Sequence, residues 1–438
     1  MKTLITGGNI LMKNGFVKSD MLIADGKVFA LAPEFSDNEA DRVIRCDNSF
    51  IIPAFADVHV HLREPGFEYK ETIRTGTMAA ARGGYSTICS MPNLKPVPSS
   101  PEAMKAELDA IEKDAVIKVY PYGTITMDQS GTGELSDMEG LSDKAVAFTD
   151  DGKGIQKTEL MSKAMRKAKE LNKIIAAHCE DESWIPEGGC VHAGRFARAN
   201  GFAGIPSESE WCQAERDLDL ERMIGGRYHI CHVSSAETVE LVRRAKKEGV
   251  DVTCETAPHY LVLCEDDILD EGRFKMNPPV RSCEDREAII EGIIDGTVDM
   301  IATDHAPHTA EEKDGGLRGS AFGIVGLETA FPVLFTQLVL GGKISLEKLV
   351  KLMAVAPRRR FGLDDGSEYS ISAKGYICEG QTADITVLDI EDEYCIDPSD
   401  FISMGKSTPF SGMRVRGKII ATFADGKEVY YYKGTDDE

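Results

Sequence analysis

The sequence predicts an α/β fold: a (β/α)8 TIM-type barrel with a small β-sandwich built from both chain ends. Three observations point to it. Eight apolar runs alternate with helical stretches between residues 52 and 365, as parallel strands joined by crossover helices do. The two ends share a different texture, short β-like pieces separated by turns. Polar side chains suited to binding a cation recur where the apolar runs stop, and a barrel gathers its strand ends at one mouth.

The N-terminal pieces are LITGGNILMKNG, DMLIADGKVFALAP and DRVIRCDNS. Asn-Gly at 14–15 and Asp-Gly at 25–26 and 425–426 are hairpin signals, because both residue types tolerate the positive φ of tight turns. The apolar runs follow: IIPAFADVHVH (51–61), GYSTICSMPN (84–93), AVIKVYPYGTIT (115–126), KAVAFTDDG (144–152), KIIAAHCED (173–181), YHICHVS (228–234), DVTCETAPHY (251–260) and VDMIATDHAPH (298–308). Helices lie between them. Ser100-Pro101-Glu102 supplies an N-cap and a first-turn proline. Leu160, Met161, Ala164, Met165, Ala168 and Leu171 repeat at helical spacing. Ser234 and Glu237 read as a capping box for a helix that stops at Gly249. Ile289, Ile290, Ile293 and Ile294 stripe another helix. The C-terminal pieces GQTADITVLDI and SGMRVRGKIIATFADGKEVYYY return to the opening texture. Neither end can bury a core alone, so the two should pair, giving units at 1–51, 52–365 and 366–438. An open doubly wound sheet would also alternate. However, no G-x-G-x-x-G or G-x-x-x-x-G-K-[ST] follows a strand, so the usual phosphate cradles are absent.

Composition narrows the function. Hydrophobic residues make up 42% and charged residues 28%, ordinary values for a globular protein. No run approaches the roughly 18–20 apolar residues of a membrane helix. The N-terminus reads as strand and turn, not as a signal peptide, so a cytoplasmic location is expected. Fifty basic against 73 acidic residues give a net charge of −23, which repels phosphate backbones and argues against nucleic acid as a partner. A small anionic substrate stays compatible, since surface charge beyond about 8 Å is screened. Eleven cysteines are scattered without a CxxC pair and are expected to be reduced structural thiols.

The candidate chemistry lies at strand ends: His59 and His61, Asp150 and Asp151, His178, His232, and Asp304 with His305. His59 and His61, two apart on a strand, point to the same face. With single histidines and carboxylates on other strands they form a ligand set suited to zinc, large enough for two ions sharing a ligand. Asp150 and Asp151 face opposite ways, and either could cap the loop at Gly152. His229 reads as structural, His305 as a loop-holding residue, and His192 as solvated. His259 is open to either reading.

DVHVHLREPG (57–66), SMPN (90–93), FTDDG (148–152), AHCED (177–181), HVSS (232–235), MNPPVR (276–281) and DHAPHTAEEK (304–313) together resemble the dihydroorotases of the long bacterial class, within the amidohydrolase superfamily. GQTADITVLD and STPFSG extend the resemblance into the sandwich. It implies His59 and His61 on a first metal, Asp151 bridging, His178 and His232 on a second, and Asp304 as both ligand and catalytic proton shuttle. Two Zn²⁺ per chain are expected, with one as the alternative. A carboxylated lysine, Lys144 or Lys153, is the other bridge to weigh. Substrate contacts are implied for His61, Arg63, Asn93, Asn277 and His308, and for the backbone at Phe322-Gly323. The competing reading of Asn93 and Asn277 is turn formation beside Pro92 and Pro278.

The implied reaction is reversible closure of N-carbamoyl-L-aspartate to dihydroorotate, run in reverse by a metal-bridging hydroxide attacking the ring amide. Arg63 continues the His59/His61 alternation and should reach the same mouth, where its fork grips a carboxylate. Segment 309–323, with four glycines and no core pattern, reads as a mobile lid. A homodimer and an aspartate transcarbamoylase partner are open expectations from the resemblance. The rival readings are another cyclic amidase, such as an allantoinase or hydantoinase, and a catalytically silent scaffold. Arg63 argues against the first, and the complete ligand set against the second.

Overall fold

A computed structural model describes residues 2–432. The N-terminal end forms β1 (Thr3–Met12), β2 (Gly15–Ala24), β3 (Lys27–Ala32), β4 (Arg42–Arg45) and β5 (Phe50–Pro53). The middle supplies β6 (Phe55–Val60), β7 (Tyr85–Ser90), β8 (Lys118–Pro121) and β9 (Ile175–Ala177). A short pair follows, β10 (Val191–His192) and β11 (Gly204–Ile205), then β12 (Tyr228–Ile230), β13 (Val252–Thr256) and β14 (Met300–Ile301). The C-terminal end adds β15 (Ile385–Cys395), β16 (Arg414–Ala424) and β17 (Lys427–Tyr431).

The ends do pair. They make one connected sheet in the order β17-β16-β15-β5-β1-β2-β3, with β4 beside β1. The joint is β5 against β15, in register from Phe50↔Leu388 to Pro53↔Ile385. Ile5, Met21 and Val28 share a core with Ile385, Val387 and Phe423 from the far side of that order. A Cβ at Gly26 would lie 3.1 Å from the Asp425 carbonyl, so the outer hairpins meet at their tips and the sheet folds over its own core. Two turn signals were in register: Asp25-Gly26 and Asp425-Gly426 are two-residue loops with all four φ values positive, the type I′ geometry. At the first hairpin the loop is Lys13-Asn14, one residue earlier than the signal, because Gly15 already pairs with Met12.

The middle of the chain forms parallel ladders. One sheet is β6-β7-β8 and the other β14-β13-β12-β9. Single parallel bridges join them: Gly123↔Phe148 and Phe148↔Ile175 on one side, Val60↔His305 on the other. Followed from β6, the pairing returns to β6. Every residue of β6 and β7 is buried, which is why these strands read as continuous apolar runs instead of alternating ones. The run at 144–152 is reduced to the pairing of Phe148. Asp150 explains the loss of the ladder beyond it. Its carboxylate accepts from the amides of Ile125 (2.8 Å), Thr126 (3.0 Å) and Gly131 (3.1 Å), satisfying backbone donors with a side chain.

Most helix signals hold. Ser100 caps helix Pro101–Asp114, accepting from the Ala103 amide. Leu160, Met161, Ala164, Met165 and Ala168 form the buried stripe of Thr158–Glu170. In Cys283–Asp295 the stripe is Ile289, Ile290 and Ile293, while Ile294 is exposed. The expected Ser234/Glu237 box is not formed. Helix Ala236–Lys247 starts after Ser235, and both serine amides are drawn to the carboxylate of Glu210. Arg358 is fully buried and ties the helical segment to β6 and β7, donating to the carbonyls of Ala54 (2.7 Å) and Ala354 (2.8 Å) and to Ser86 Oγ (2.8 Å).

The cysteine expectation needs one correction. Cys264 and Cys283 are joined as a disulfide, with Cα atoms 4.9 Å apart; they flank a chain reversal that no Cys motif announces. Nine cysteines are free, most of them buried. Among the described residues no helix is long and apolar enough to cross a membrane.

Helix Pro101–Asp114 also buries a carboxyl. Burial pushes Glu107 up to about 8, although Ser90 Oγ donates to it at 2.6 Å. The folded protein therefore keeps a proton that the unfolded chain releases from its ordinary value of 4.5 upward, and stability falls as pH rises across that window. Glu107→Gln is expected to melt higher than the parent at pH 8 and to match it at pH 4.5. A constant difference across thermal scans at both pH values would refute this.

Candidate metal centre

The polar residues nominated at the strand ends come together where the parallel strands stop. A cavity of about 250 Å³ opens there. Every residue nominated for metal or substrate lines it except His59, which is completely buried behind the wall. Asp151 is the common neighbour. Its Oδ1 lies 3.2 Å from His59 Nε2, 3.7 Å from His232 Nε2 and 3.8 Å from His178 Nδ1, and its Oδ2 lies 3.5 Å from His61 Nε2. Asp304 Oδ1 sits 3.3 Å from His61 Nε2 and 3.5 Å from His59 Nε2. Lys144 is exposed and Lys153 pairs with Glu182 at the surface, so neither brings an amine to Asp151.

Two three-residue groups, His59/His61/Asp151 and Asp151/His178/His232, have ligand atoms within 4.8 Å of one another. They share Asp151. His59 Nε2 and Asp151 Oδ1 are buried without a hydrogen-bond partner, a costly state for polar atoms unless a cation lies between them. The donor set thus fits divalent metal binding. Asp151 Oδ1 and His59 Nε2 would both be satisfied by it.

Local electrostatics follow from this crowding. Burial opposes ionisation of Asp151, yet His59 beside it holds the carboxyl well below its ordinary range. Asp304 is held at about 2 against its burial, chiefly by His61 with His59 and His232. Burial alone dominates at His61 and lowers it. Burial opposes charge on His178 too, but Glu180 keeps it above its ordinary value.

Several positioning groups escaped the sequence reading. Glu255 in β13 accepts from His59 Nδ1 (2.8 Å) and His229 Nε2 (3.1 Å), while His229 Nδ1 meets Thr253 Oγ1 (2.8 Å). This turns the His59 Nε2 edge toward Asp151, and it makes His229 structural as expected. Glu180 holds Asn277 Nδ2 at 2.8 Å. His305 is buried, with Nδ1 accepting from the Gly326 amide (3.2 Å) and Nε2 3.6 Å from Glu71, so it does hold a loop. His259 is buried outside the cavity lining. His192 is half-buried beside Arg281 at 3.4 Å, not solvated. These carboxylates meet partners scores of residues away, and no local spacing reveals them.

The residues nominated for substrate line the same cavity. Arg63 reaches the cavity, but not by strand alternation: β6 ends at Val60 and Arg63 has a left-handed φ of 64°. Its Nε donates to the Pro307 carbonyl at 3.2 Å. Asn93 Nδ2 donates to the Asp151 carbonyl (2.9 Å), leaving its buried Oδ1 unpartnered. Both asparagines therefore face the cavity beside their prolines. His308 Nε2 donates to the Phe322 carbonyl at 2.8 Å, and burial with Arg63 and Lys70 nearby lowers its pKa to about 4. Segment 309–323, expected as a featureless lid, contains the short helices Ala310–Lys313 and Gly316–Gly319. Leu317 is buried, and Lys313 Nζ donates to the carbonyls of Lys275 (3.1 Å), Ala321 (2.7 Å) and Gly323 (2.7 Å).

Known proteins share this frame. Residues 48–238 match the family model described as dihydro-orotase-like. A dihydroorotase of Bacillus cytotoxicus is 48% identical over 433 residues, covering 98% of each chain. One from Bacillus cereus is 48% identical over 429 residues, covering 96% of this chain and 97% of that one. Among solved structures, an L-hydantoinase (dihydropyrimidinase) from Arthrobacter aurescens superimposes with a TM-score of 0.85 at 27% identity, over 98% of this chain and 96% of that chain. A dihydropyrimidinase from Brevibacillus agri gives 0.83 at 23%, a likeness of fold. With near-full-length identity of this order, the chain belongs to the dihydroorotase family of cyclic amide hydrolases.

Proposed function

We propose that the cavity around Asp151 interconverts N-carbamoyl-L-aspartate and dihydroorotate, with zinc as its metal. The observation that carries this reading is one buried carboxylate among four imidazoles, in a cavity that also holds Arg63. His59 and His61 would hold one ion, His178 and His232 a second, and Asp151 would lie between them, with Asp304 on the first. Bound zinc would supply Lewis acidity toward the amide carbonyl and the attacking water. The closed circuit of parallel pairing is read as the (β/α)8 barrel, with 1–51 and 366–438 as the two halves of the end sandwich.

The residues divide the remaining work. Held at about 2, the Asp304 carboxyl is ionised at neutral pH. In ring opening it takes a proton from the attacking water and passes it to the departing ring nitrogen. In ring closure the same carboxylate takes the proton from the carbamoyl nitrogen and delivers it to the leaving oxygen. Arg63, with Asn93, Asn277 and His308, would grip the substrate carboxylate, and the Phe322-Gly323 backbone would close over it. Neutral His308 contributes hydrogen bonding without adding charge. A cytoplasmic setting, a homodimer and partnership with an aspartate transcarbamoylase belong to the same reading.

A hydantoinase shares the fold, so fold alone does not select the substrate. Arg63, and the lack among the described residues of a lysine lining the cavity with Asp151, favour the carboxylated one. Three outcomes are expected. The purified protein should carry one to two zinc ions per chain by elemental analysis and cyclise N-carbamoyl-L-aspartate. Much faster turnover of hydantoin or allantoin would overturn the substrate. Asp304→Ala should keep the parent's circular dichroism and lose about 10²–10⁴-fold in kcat; near-parental kcat would remove it from proton transfer. Arg63→Lys should raise KM for the carboxylated substrate roughly tenfold or more despite unchanged charge, because a lysine cannot match the bidentate fork. An unchanged KM would move carboxylate recognition elsewhere.

A further inference from the structure

A second cavity lies at the opposite ends of the strands, about 410 Å³ in volume. Arg227 and Asp299, which line it, immediately precede β12 and β14, whereas the candidate metal ligands follow those strands. The other wall is the helical segment 346–361, which contributes Lys348, Lys351, Arg359 and Arg360. Five cations thus face one carboxylate in a chain of net charge −23.

The few acids nearby are already engaged. Asp299 is held by Lys246 from outside the cavity at 2.6 Å, and Arg360 pairs with Asp251. Among the described residues Arg227, Lys348, Lys351 and Arg359 have no carboxylate within ion-pair distance. The two arginines among them donate only to backbone carbonyls, Arg227 to Arg360 (2.8 Å) and Arg359 to Ser372 (2.6 Å). Arg360 has a side chain 9% exposed, and its Nε is buried without a partner. The cations also disfavour one another: burial and Lys351 lower Lys348, and burial and Arg360 lower Arg227. Such repulsion is relieved by a bound anion with several charges. Behind the cations the wall is closed by Val298, Met300 and Leu352, which are buried, so the charged side chains supply the surface a ligand would meet.

We propose that this cavity binds a polyphosphate anion, a diphosphate group free or carried by a larger molecule, on Lys348, Lys351, Arg227 and Arg359. The site is independent of the reaction proposed above, and so is its test.

Isothermal titration of the metal-loaded, full-length protein in about 150 mM salt, with ADP, UDP and inorganic pyrophosphate as probes, decides the matter. At least one probe should bind one saturable site with a Kd of micromolar order. The double variant Lys348→Gln/Lys351→Gln should weaken that binding about tenfold or more, with melting temperature and cyclisation rate unchanged. Arg359→Gln, at an exposed position, is a second variant expected to weaken binding should the double variant fold poorly. No saturable heat with any probe overturns the proposal. Binding that survives these substitutions overturns it as well, since the anion would then sit elsewhere, the metal centre included.

Discussion

The burial of Asp151 is the constraint from which the rest of the molecule can be understood. A carboxylate almost removed from water costs several kcal/mol unless positive charge or donors surround it. Here the surroundings are four imidazoles from β6, β9 and β12 and their extensions, at 3.2–3.8 Å. Bringing them together takes a ring of parallel strands, all ending on the same side. It also takes backbone that leaves the strand abruptly. His232 and Asp304 have φ values of 35° and 49°, a conformation that costs on the order of 1–3 kcal/mol for residues other than glycine. Tight packing behind them, down to Glu255 between His59 and His229, is what sustains it.

Much of this arrangement is legible in the sequence because it breaks a local pattern. A histidine or aspartate at the end of an apolar run is conspicuous, so His59, His61, His178, His232 and Asp304 stand out from position, whereas the choice of Asp151 over Asp150 came from the family resemblance. The Asp-Gly hairpins are legible for a related reason: their backbone needs are met by few residue types. What stayed hidden was long-range. Glu255 looks like any charge in a strand until His59, 196 positions away, is seen beside it. Ser234 and Glu237 have capping-box spacing, but Glu210 on another helix outcompetes that local partner. Arg63 was placed correctly for the wrong reason, since a left-handed turn and not strand periodicity delivers it. The strand expected around Phe148 shrinks to single bridges because Asp150 takes over the backbone donors that a ladder would have used.

Charge is distributed with similar economy at the two ends of the parallel strands. At one end the cavity gathers carboxylates and imidazoles; at the other it gathers guanidinium and ammonium groups. Thr253 lines the basic cavity and touches His229, which continues through Glu255 to His59. The two cavities are therefore joined by one file of hydrogen bonds through the parallel strands. Arg358, fully buried, ties the helical segment at Ala354 to the Ala54 carbonyl between β5 and β6.

The pairing of β5 with β15 has a consequence for how the chain is made. The two partners are separated by roughly 330 residues, tens of seconds of synthesis at ordinary translation rates. Throughout that interval the first hairpins have left the ribosome while half of their sheet does not yet exist, and Ile51 and Ile52, which will be wholly enclosed, stand on an open edge. Such an edge invites association with any passing strand. The enclosure of Ile51 and Ile52 therefore waits on β15, which is made long after them.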